Sequence, residues 1–454
     1  MKKLAKLLFL AVFLLMSLAP ALGMLIFGPT EASANEILTQ PPSVTNREGG
    51  FNVSVLNDAS DYLRDRFWFR HELITANAAV EAAVFRESAS EDVILGKEGW
   101  LYFHDTLDDY QGQNLLTDRQ IWAAARVLSL IQEYAASRGV RTLFAPVPNK
   151  NTIYPEYMPD SSSRTSEATN YDKLLNALAE EGVEALDLRP VLRSHRDEVL
   201  LYQTLDSHWN NLGAALAHDA ILEALGRSGT AYEPAAFTFA RDHSADLYQM
   251  LYPTGSEKDL QAYPTRERSF TYLRPIRSPE DQRIFTACET GEGSLLMFRD
   301  SFGNTLHTFM AESFASACFS RAMPYDLSLL DSENPDTLIL EITERHLRWL
   351  AERPPILPAP VRTPDLSAAI PAQALTLAVE KTDSGLVCLR GALPLQPDLR
   401  SPVYLEADGI VYEASPAGET ERSFTAYLPT EVRSVRVFWS AAGVLYAAPA
   451  ALTP

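Results

Sequence analysis

The sequence predicts an α/β domain with a parallel sheet flanked by helices, followed by a small all-β sandwich. Three observations carry this. Beyond Thr117, short apolar runs alternate with amphipathic helical patterns, which argues for parallel strands covered on both faces. Six prolines then fall between positions 354 and 371, a semi-rigid linker composition. After the linker come only short β-rich runs, among them VYLEA and IVYEA joined by Asp408-Gly409, a strong hairpin signal.

In chain order, MKKLAK opens a basic segment and residues 7–28 are uncharged, the pattern of an export signal. The run is long enough to span a bilayer, while Ala32-Ser33-Ala34 offers a cleavage site, so residues 1–34 read as a retained anchor or a cleaved signal. Either way the body of the chain lies outside the cytoplasm. Residues 35–60 are polar and turn-rich, a juxtamembrane arm. From 61, Tyr62, Phe67, Phe69, Leu73 and Ile74 recur at helical spacing, and 95–103 reads as a short strand with a glycine turn. Thr117 and Gln120 form a capping box before a helix whose apolar stripe stops at Gly139. Strands follow at 141–148 and 183–188, helices at 171–182 and 211–225, and strands again at 293–299 and 336–343. Residues 227–290 are less periodic and read as an insertion. The α/β domain is thus placed at 61–352, the linker at 353–371 and the β domain at 372–454.

Composition narrows the chemistry. With 39 basic and 59 acidic side chains, the 454-residue chain carries a net charge of −20, which excludes nucleic acid as a main partner. Cys288, Cys318 and Cys388 have no metal-site spacing and allow at most one disulfide.

In open α/β sheets, working groups gather at the carboxyl ends of strands. Asp206 and His208 precede the helix at 211; two positions apart on extended backbone, both side chains leave on one face, so the carboxylate can orient the imidazole. The competing reading is a helix cap. Ser301 stands between the strand GSLLMF and a helix, where its N–H and the positive helix end can stabilise an oxyanion; here too a cap is the plainer alternative.

LDSHWNNLGA and FRDSFGN resemble the D-x-H-W-N and R-D-S-F segments of the AlgX/AlgJ family of alginate O-acetyltransferases and the similar DHHW-type proteins. YLRDRFWFR, LGKEGWLYF, VPNKNTIYPEYMP, DLYQML and DTLILEITERHL support the resemblance, which spans roughly residues 55–350. It implies an SGNH-hydrolase-like fold with Asp and His preceding Ser. Carried over, Ser301 is the nucleophile, His208 the general base and Asp206 its orienter. It further implies acyl transfer to polysaccharide hydroxyls, the acyl group supplied by an integral-membrane acyltransferase. A secreted carbohydrate esterase with the same three residues and a non-catalytic polysaccharide-binding or assembly protein are the alternatives, and acyl-serine chemistry at these residues requires no metal or other cofactor.

Further candidates are Asn149 as an oxyanion donor, Arg299 and Arg345 as substrate contacts, and Trp209 as a sugar face. Each has a plainer alternative in a polar loop, an ion pair or a packed ring. His104, Asp105, Asp108 and Asp109 read as solvated turn charges rather than metal ligands. Asp242-His243 lacks a strand-end context, and His218 and His307 fall inside helical patterns. Tyr404, Tyr412, Tyr427, Phe438 and Trp439 could form a carbohydrate platform, though alternating strand aromatics are more often core.

Overall fold

The computed structural model describes the chain except residues 1, 34, 35, 37, 47, 48, 167, 383 and 454; Ala34 of the cleavage motif therefore lies outside the described residues. The uncharged run forms helix α1 (Lys2–Phe27). Its 25-residue apolar stretch, Lys3–Phe27, is roughly 37 Å long at about 1.5 Å per residue, enough to cross a bilayer core of about 30 Å. After the arm come α2 (Val55–Arg66) and α3 (Arg70–Val80), two helices where the sequence pattern suggested one. They are separated by Phe69, which adopts a left-handed backbone at φ 71°.

The central sheet has six strands in the order Arg141–Val147, Thr337–Thr343, Ser294–Phe298, Ser316–Ser320, Arg283–Cys288 and Phe270–Tyr272. The first four run parallel, Arg283–Cys288 runs against them, and Phe270–Tyr272 pairs antiparallel to Arg283–Cys288. Alternate strand residues serve opposite faces. Leu143, Ala145, Met297 and Ile339 pack towards helices Asn211–Ala224 and Gly303–Ser313, whereas Phe144, Leu296, Phe298 and Leu340 pack towards Asp118–Ala136 and Asn170–Glu180. That period of two is what a sheet buried on both sides demands. The capping box at Thr117 and Gln120 is present. The strand expected at 183–188 shrinks to one bridge between Ala185 and Phe144. The 227–290 region holds a hairpin, Phe237–His243 with Asp259–Pro264, the short helix Asp246–Leu251, and both antiparallel strands of the main sheet.

The C-terminal part is all β, and its strands join into one sheet rather than two stacked ones. The order Ile410–Ala414, Val403–Ala407, Val435–Ala441, Val444–Thr453, Leu375–Lys381, Val387–Ala392, Ser423–Leu428 returns on itself through a bridge between Ser415 and Thr425, giving a nearly closed barrel. Asp408 (φ 49°) and Gly409 (φ 88°) make the expected tight hairpin. Tyr412, Tyr427, Phe438 and Trp439 are buried and Tyr404 half-buried, so these aromatics fill and wall the barrel instead of forming a platform. The three cysteines are free and buried.

The proline-rich segment lies along the barrel, with bridges Pro358–Tyr427 and Val361–Tyr412. A buried carboxylate joins the two parts of the chain: Glu413 accepts from Arg126 Nε and Nη2, both at 2.8 Å, and from Arg362 Nε at 2.7 Å. Arg119 adds three bonds from Nη1 to the carbonyls of Asp398, Leu399 and Ser401.

Candidate active site

Three strands deliver candidate residues to one carboxyl edge of the sheet. Asn149 follows Arg141–Val147, Ser301 follows Ser294–Phe298, and Glu344 and Arg345 follow Thr337–Thr343. The turn bearing Ser301 is fixed from beneath by Asp300. Its Oδ1 accepts the Phe302 N–H at 2.9 Å, and its Oδ2 accepts from Thr343 N (2.8 Å), Thr343 Oγ1 (2.5 Å) and His346 Nδ1 (3.2 Å). Burial alone would raise the Asp300 pKa, but His346, Arg345 and Thr343 outweigh it and hold the carboxyl far below its usual range. Gly303 makes the turn possible, since a Cβ there would lie 2.5 Å from Arg299 Cβ. The Ser301 N–H has no hydrogen-bond partner among the described residues and stands ahead of the helix Gly303–Ser313.

His208 arrives on the loop 201–210. Tyr202 bridges Trp209, and Gln203 N and Asn210 N donate to His208 O (3.1 Å) and Leu201 O (2.9 Å). The cap of the next helix is Asn210, which accepts from Leu212 N and Gly213 N, so Asp206 is not spent as a cap. His208 Nε2 lies 2.8 Å from Ser301 Oγ, and its Nδ1 lies 2.7 Å from Asp206 Oδ1. Serine, imidazole and carboxylate are therefore in continuous hydrogen-bond contact.

The loop is held by groups the sequence pattern did not single out. Lys150 is buried and donates from Nζ to the carbonyls of Gln203 (2.9 Å), Thr204 (3.1 Å) and Asp206 (2.7 Å); burial lowers its pKa to about 8. Asp259 accepts from Thr204 Oγ1 and Leu205 N, and Asp246 from Ser207 N and Oγ. His243, set aside from sequence as lacking context, places Nε2 3.0 Å from Asp206 Oδ2. Its strand belongs to the inserted hairpin, and only tertiary folding brings that hairpin to the loop. A charged residue next to a turn carries no sequence signal for such a role.

Electrostatics follow from this packing. Burial raises the Asp206 pKa, but the bonds to His208 and His243 overcome that and leave it well below the ordinary carboxyl value. Burial lowers the His208 pKa, yet Asp206, with help from Asp246, brings the net shift upward. Asp246 itself is raised, by burial and by the neighbouring Asp206 charge. Asp206, His208 and Asp246 lie close enough to be considered as metal ligands. Their atoms are already committed, however: each oxygen of both carboxylates accepts an N–H or O–H, and His208 Nδ1 faces Asp206.

The remaining candidates separate. Trp209 is fully buried, donates from Nε1 to Phe302 O at 3.1 Å and packs on Phe302 and Tyr202, so it offers no sugar face. Arg299 is buried and bonded to Asn304 Oδ1 (2.5 Å), Pro279 O (2.6 Å) and Asp281 O (3.3 Å), tying the turn to the inserted segment rather than facing a ligand. Asn149 is buried; its N–H donates to Glu344 Oε2 at 2.8 Å, and its Nδ2 makes only a long 3.4 Å bond to Asp109. Asp109 is not a solvated turn charge: burial and Glu344 raise its pKa to about 8. Arg345 stands apart, because its guanidinium makes no hydrogen bond or ion pair among the described residues. It lies 5.4 Å and 5.5 Å from the ring centres of Phe103 and Phe302. His218 contacts Ser313 Oγ (2.7 Å) and Asp219 (2.8 Å), a lookalike set at the far end of the helix Gly303–Ser313.

Residues 93–282 match the family of SGNH hydrolase-like domains of acetyltransferase AlgX. Among curated proteins, the chain is 28% identical over 137 residues to the probable alginate O-acetylase AlgJ of Pseudomonas aeruginosa, covering 30% of this chain and 34% of that one. It is 25% identical over 271 residues to the protein of the same name from Pseudomonas syringae pv. tomato, covering 57% and 64%. The chain thus spans about a third to under two-thirds of the length of these relatives. Among solved structures, the O-acetyltransferase domain of Pseudomonas putida AlgJ aligns at 17% identity with a TM-score of 0.39, covering 56% of this chain and 92% of that one. A DHHW family protein from Eubacterium siraeum aligns at 16% identity with a TM-score of 0.40, covering 49% and 85%. Residues 93–282 are thus similar to the SGNH hydrolase-like domain of acetyltransferase AlgX, and the chain is similar over part of its length to probable alginate O-acetylases AlgJ.

Proposed function

We propose that this protein transfers an acyl group, acetyl by family resemblance, to hydroxyls of a polysaccharide outside the cytoplasmic membrane. The observation that carries the reading is the unbroken contact from Ser301 Oγ through His208 to Asp206 at the sheet's carboxyl edge. Ser301 Oγ attacks the carbonyl carbon of an acyl donor while His208 Nε2 takes its proton. Asp206 stabilises the imidazolium, and the Ser301 N–H, without a partner among the described residues, donates to the oxyanion. The donor's leaving group departs with the proton from His208, leaving an acyl-serine. A sugar hydroxyl then attacks this ester, His208 accepting its proton and returning it to Ser301 as the new ester forms. Arg345, whose guanidinium makes no hydrogen bond or ion pair among the described residues and lies beside Phe302, is placed to contact substrate.

The acyl donor is supplied by an integral-membrane acyltransferase in this reading, which the family resemblance and the bilayer-length α1 support. The same relay with water as acceptor would make the protein an esterase.

The test uses the full chain in detergent with p-nitrophenyl acetate, with and without an oligosaccharide acceptor. Turnover and an acetyl adduct on Ser301 are expected, both lost in Ser301→Ala and His208→Ala. Acetylated oligosaccharide supports transfer, whereas acetate alone supports the esterase. A folded wild type that neither turns over nor labels overturns both.

A further inference from the structure

The outer end of α1 is locked to the segment between α2 and α3. The Trp68 indole lies on the helix backbone at Gly23, where a Cβ would fall 2.4 Å from Trp68 Cε3. Phe27 stacks on the same indole with ring centres 5.1 Å apart. Thr30 ties the junction by donating from N to Arg66 O (3.0 Å) and from Oγ1 to Phe67 O (2.8 Å). Gly23 lies four residues, about 6 Å, inside the end of α1. Indole rings are enriched at membrane–water boundaries, and this one sits about one helical turn inside the end of α1.

Beyond this junction α3 has two apolar faces. Phe69 at its N-cap, Leu73, Val80, and Val84 in the π-helical turn that continues it, are spaced four, seven and four residues apart. At about 100° per residue Leu73 and Val80 lie within about 20° of one another on α3, and Phe69 and Val84 flank them at its two ends. All four are exposed, by 45%, 48%, 54% and 66%, and the intervening positions on that face are Ala76 and Asn77, without charge. The opposite face carries Ala78, buried with Val93, Leu101, Leu205, Ala245, Leu247 and Leu251. α2 adds Leu56 and Leu63, seven apart and exposed. An uncharged apolar stripe of this kind in water would be an unfavourable surface, and it begins one residue after the ring seated on α1.

We infer that the stripe of α3 is seated in the outer interface of the membrane that α1 crosses, with lipid acyl chains covering Phe69, Leu73, Val80 and Val84. Continuity decides the occupant. The stripe is joined by ring stacking and two hydrogen bonds to a helix that is itself exposed along almost its whole apolar length. With its stripe in the lipid headgroup boundary, α3 turns Ala78 to the domain. Leu205 and Leu247, which receive it, adjoin Asp206 and Asp246. The lipid-seated helix thereby fixes the height of the acid–base loop above the bilayer, where a membrane-delivered acyl donor would arrive.

The experiment is independent of turnover. Leu73→Cys, Val80→Cys and Val84→Cys are made singly in the full chain; the native cysteines are buried and do not compete for label. Each is nitroxide-labelled and reconstituted with phosphatidylethanolamine and phosphatidylglycerol vesicles, alongside Ser137→Cys on an exposed helix end as control. Power saturation is expected to show the three stripe positions more accessible to oxygen than to a water-soluble nickel chelate, with the control reversed. Nickel accessibility at the stripe overturns the inference. So does protection from both agents, which would mean that a protein surface or a second copy covers it. Recovery of a native chain cleaved after α1 overturns it as well.

Discussion

Asp206 joins two imidazoles: its Oδ1 lies 2.7 Å from His208 Nδ1 and its Oδ2 lies 3.0 Å from His243 Nε2. With His208 N and Asp246 N also donating, both carboxylate oxygens are saturated and the carboxylate cannot rotate away from His208. Replacing His243 by Phe is expected to lower kcat for ester turnover by roughly tenfold, about 1.5 kcal/mol for one charge-assisted hydrogen bond, with KM little changed. His243→Gln keeps a donor near the same place and should retain most activity. Equal losses in both variants would remove the positioning role.

The rate should fall as acid protonates His208. Because its pKa is shifted upward, the acid limb of kcat/KM is expected above pH 6.5, the ordinary imidazole value. Asp246→Asn deletes a negative charge facing the ring and should move the limb to lower pH. Arg345→Ala deletes a positive one and should move it higher. Stability runs the other way: a raised histidine pKa contributes fully below the unfolded value and is lost as pH rises through the folded one. A limb that stays in place in both variants would contradict the assigned surroundings of His208.

Arg299 and Arg345 should behave differently on removal. Arg299→Ala orphans the carbonyls of Pro279 and Asp281, and is expected to destabilise by about 3 kcal/mol, read as a lowered Tm. Arg345→Ala removes no hydrogen bond or ion pair among the described residues, only its ring contacts and its field on Asp300, so Tm should fall less than in Arg299→Ala while kcat/KM falls. Thermal melts with parallel kinetics separate the two.

Glu413 meets two arginines at the junction of the two parts of the chain, and it is almost wholly buried. Glu413→Ala leaves Arg126 and Arg362 without their shared anion. Because Arg126 keeps Glu181 and Arg362 keeps Glu133, a loss of about 1–3 kcal/mol is expected, measured by denaturant unfolding. An unchanged midpoint would show that the barrel's attachment rests on its apolar contacts alone.

Much of the architecture was legible in the sequence because it is local. Apolar periodicity placed the helix ahead of Gly139 and the strands at 141–148, 293–299 and 336–343; Asp408-Gly409 marked its hairpin through backbone conformation alone. Asp206, His208 and Ser301 could be nominated because they border such elements. The strand expected at 183–188 failed since pairing needs a neighbour's full edge, and only Ala185 finds one.

Tertiary structure decided what depends on distant residues meeting. It brought His243 and Asp246 from a weakly periodic insertion to the loop carrying Asp206 and His208, since a hydrogen bond is set by position in space and leaves no periodic trace. It turned Asp109 from a turn charge into a buried acid, and Lys150 into a clamp on three carbonyls. It also separated Arg299, consumed by internal bonds, from Arg345, without a hydrogen bond or ion pair among the described residues, although both follow strands at the same sheet edge. In the C-terminal domain, strand content came from residue type, whereas one sheet instead of two stacked ones came from unbroken pairing between neighbouring strands, and its curl from the bridge of Ser415 with Thr425. Propensity acts within a few residues; register, closure and charge partners are fixed by contacts across the whole chain.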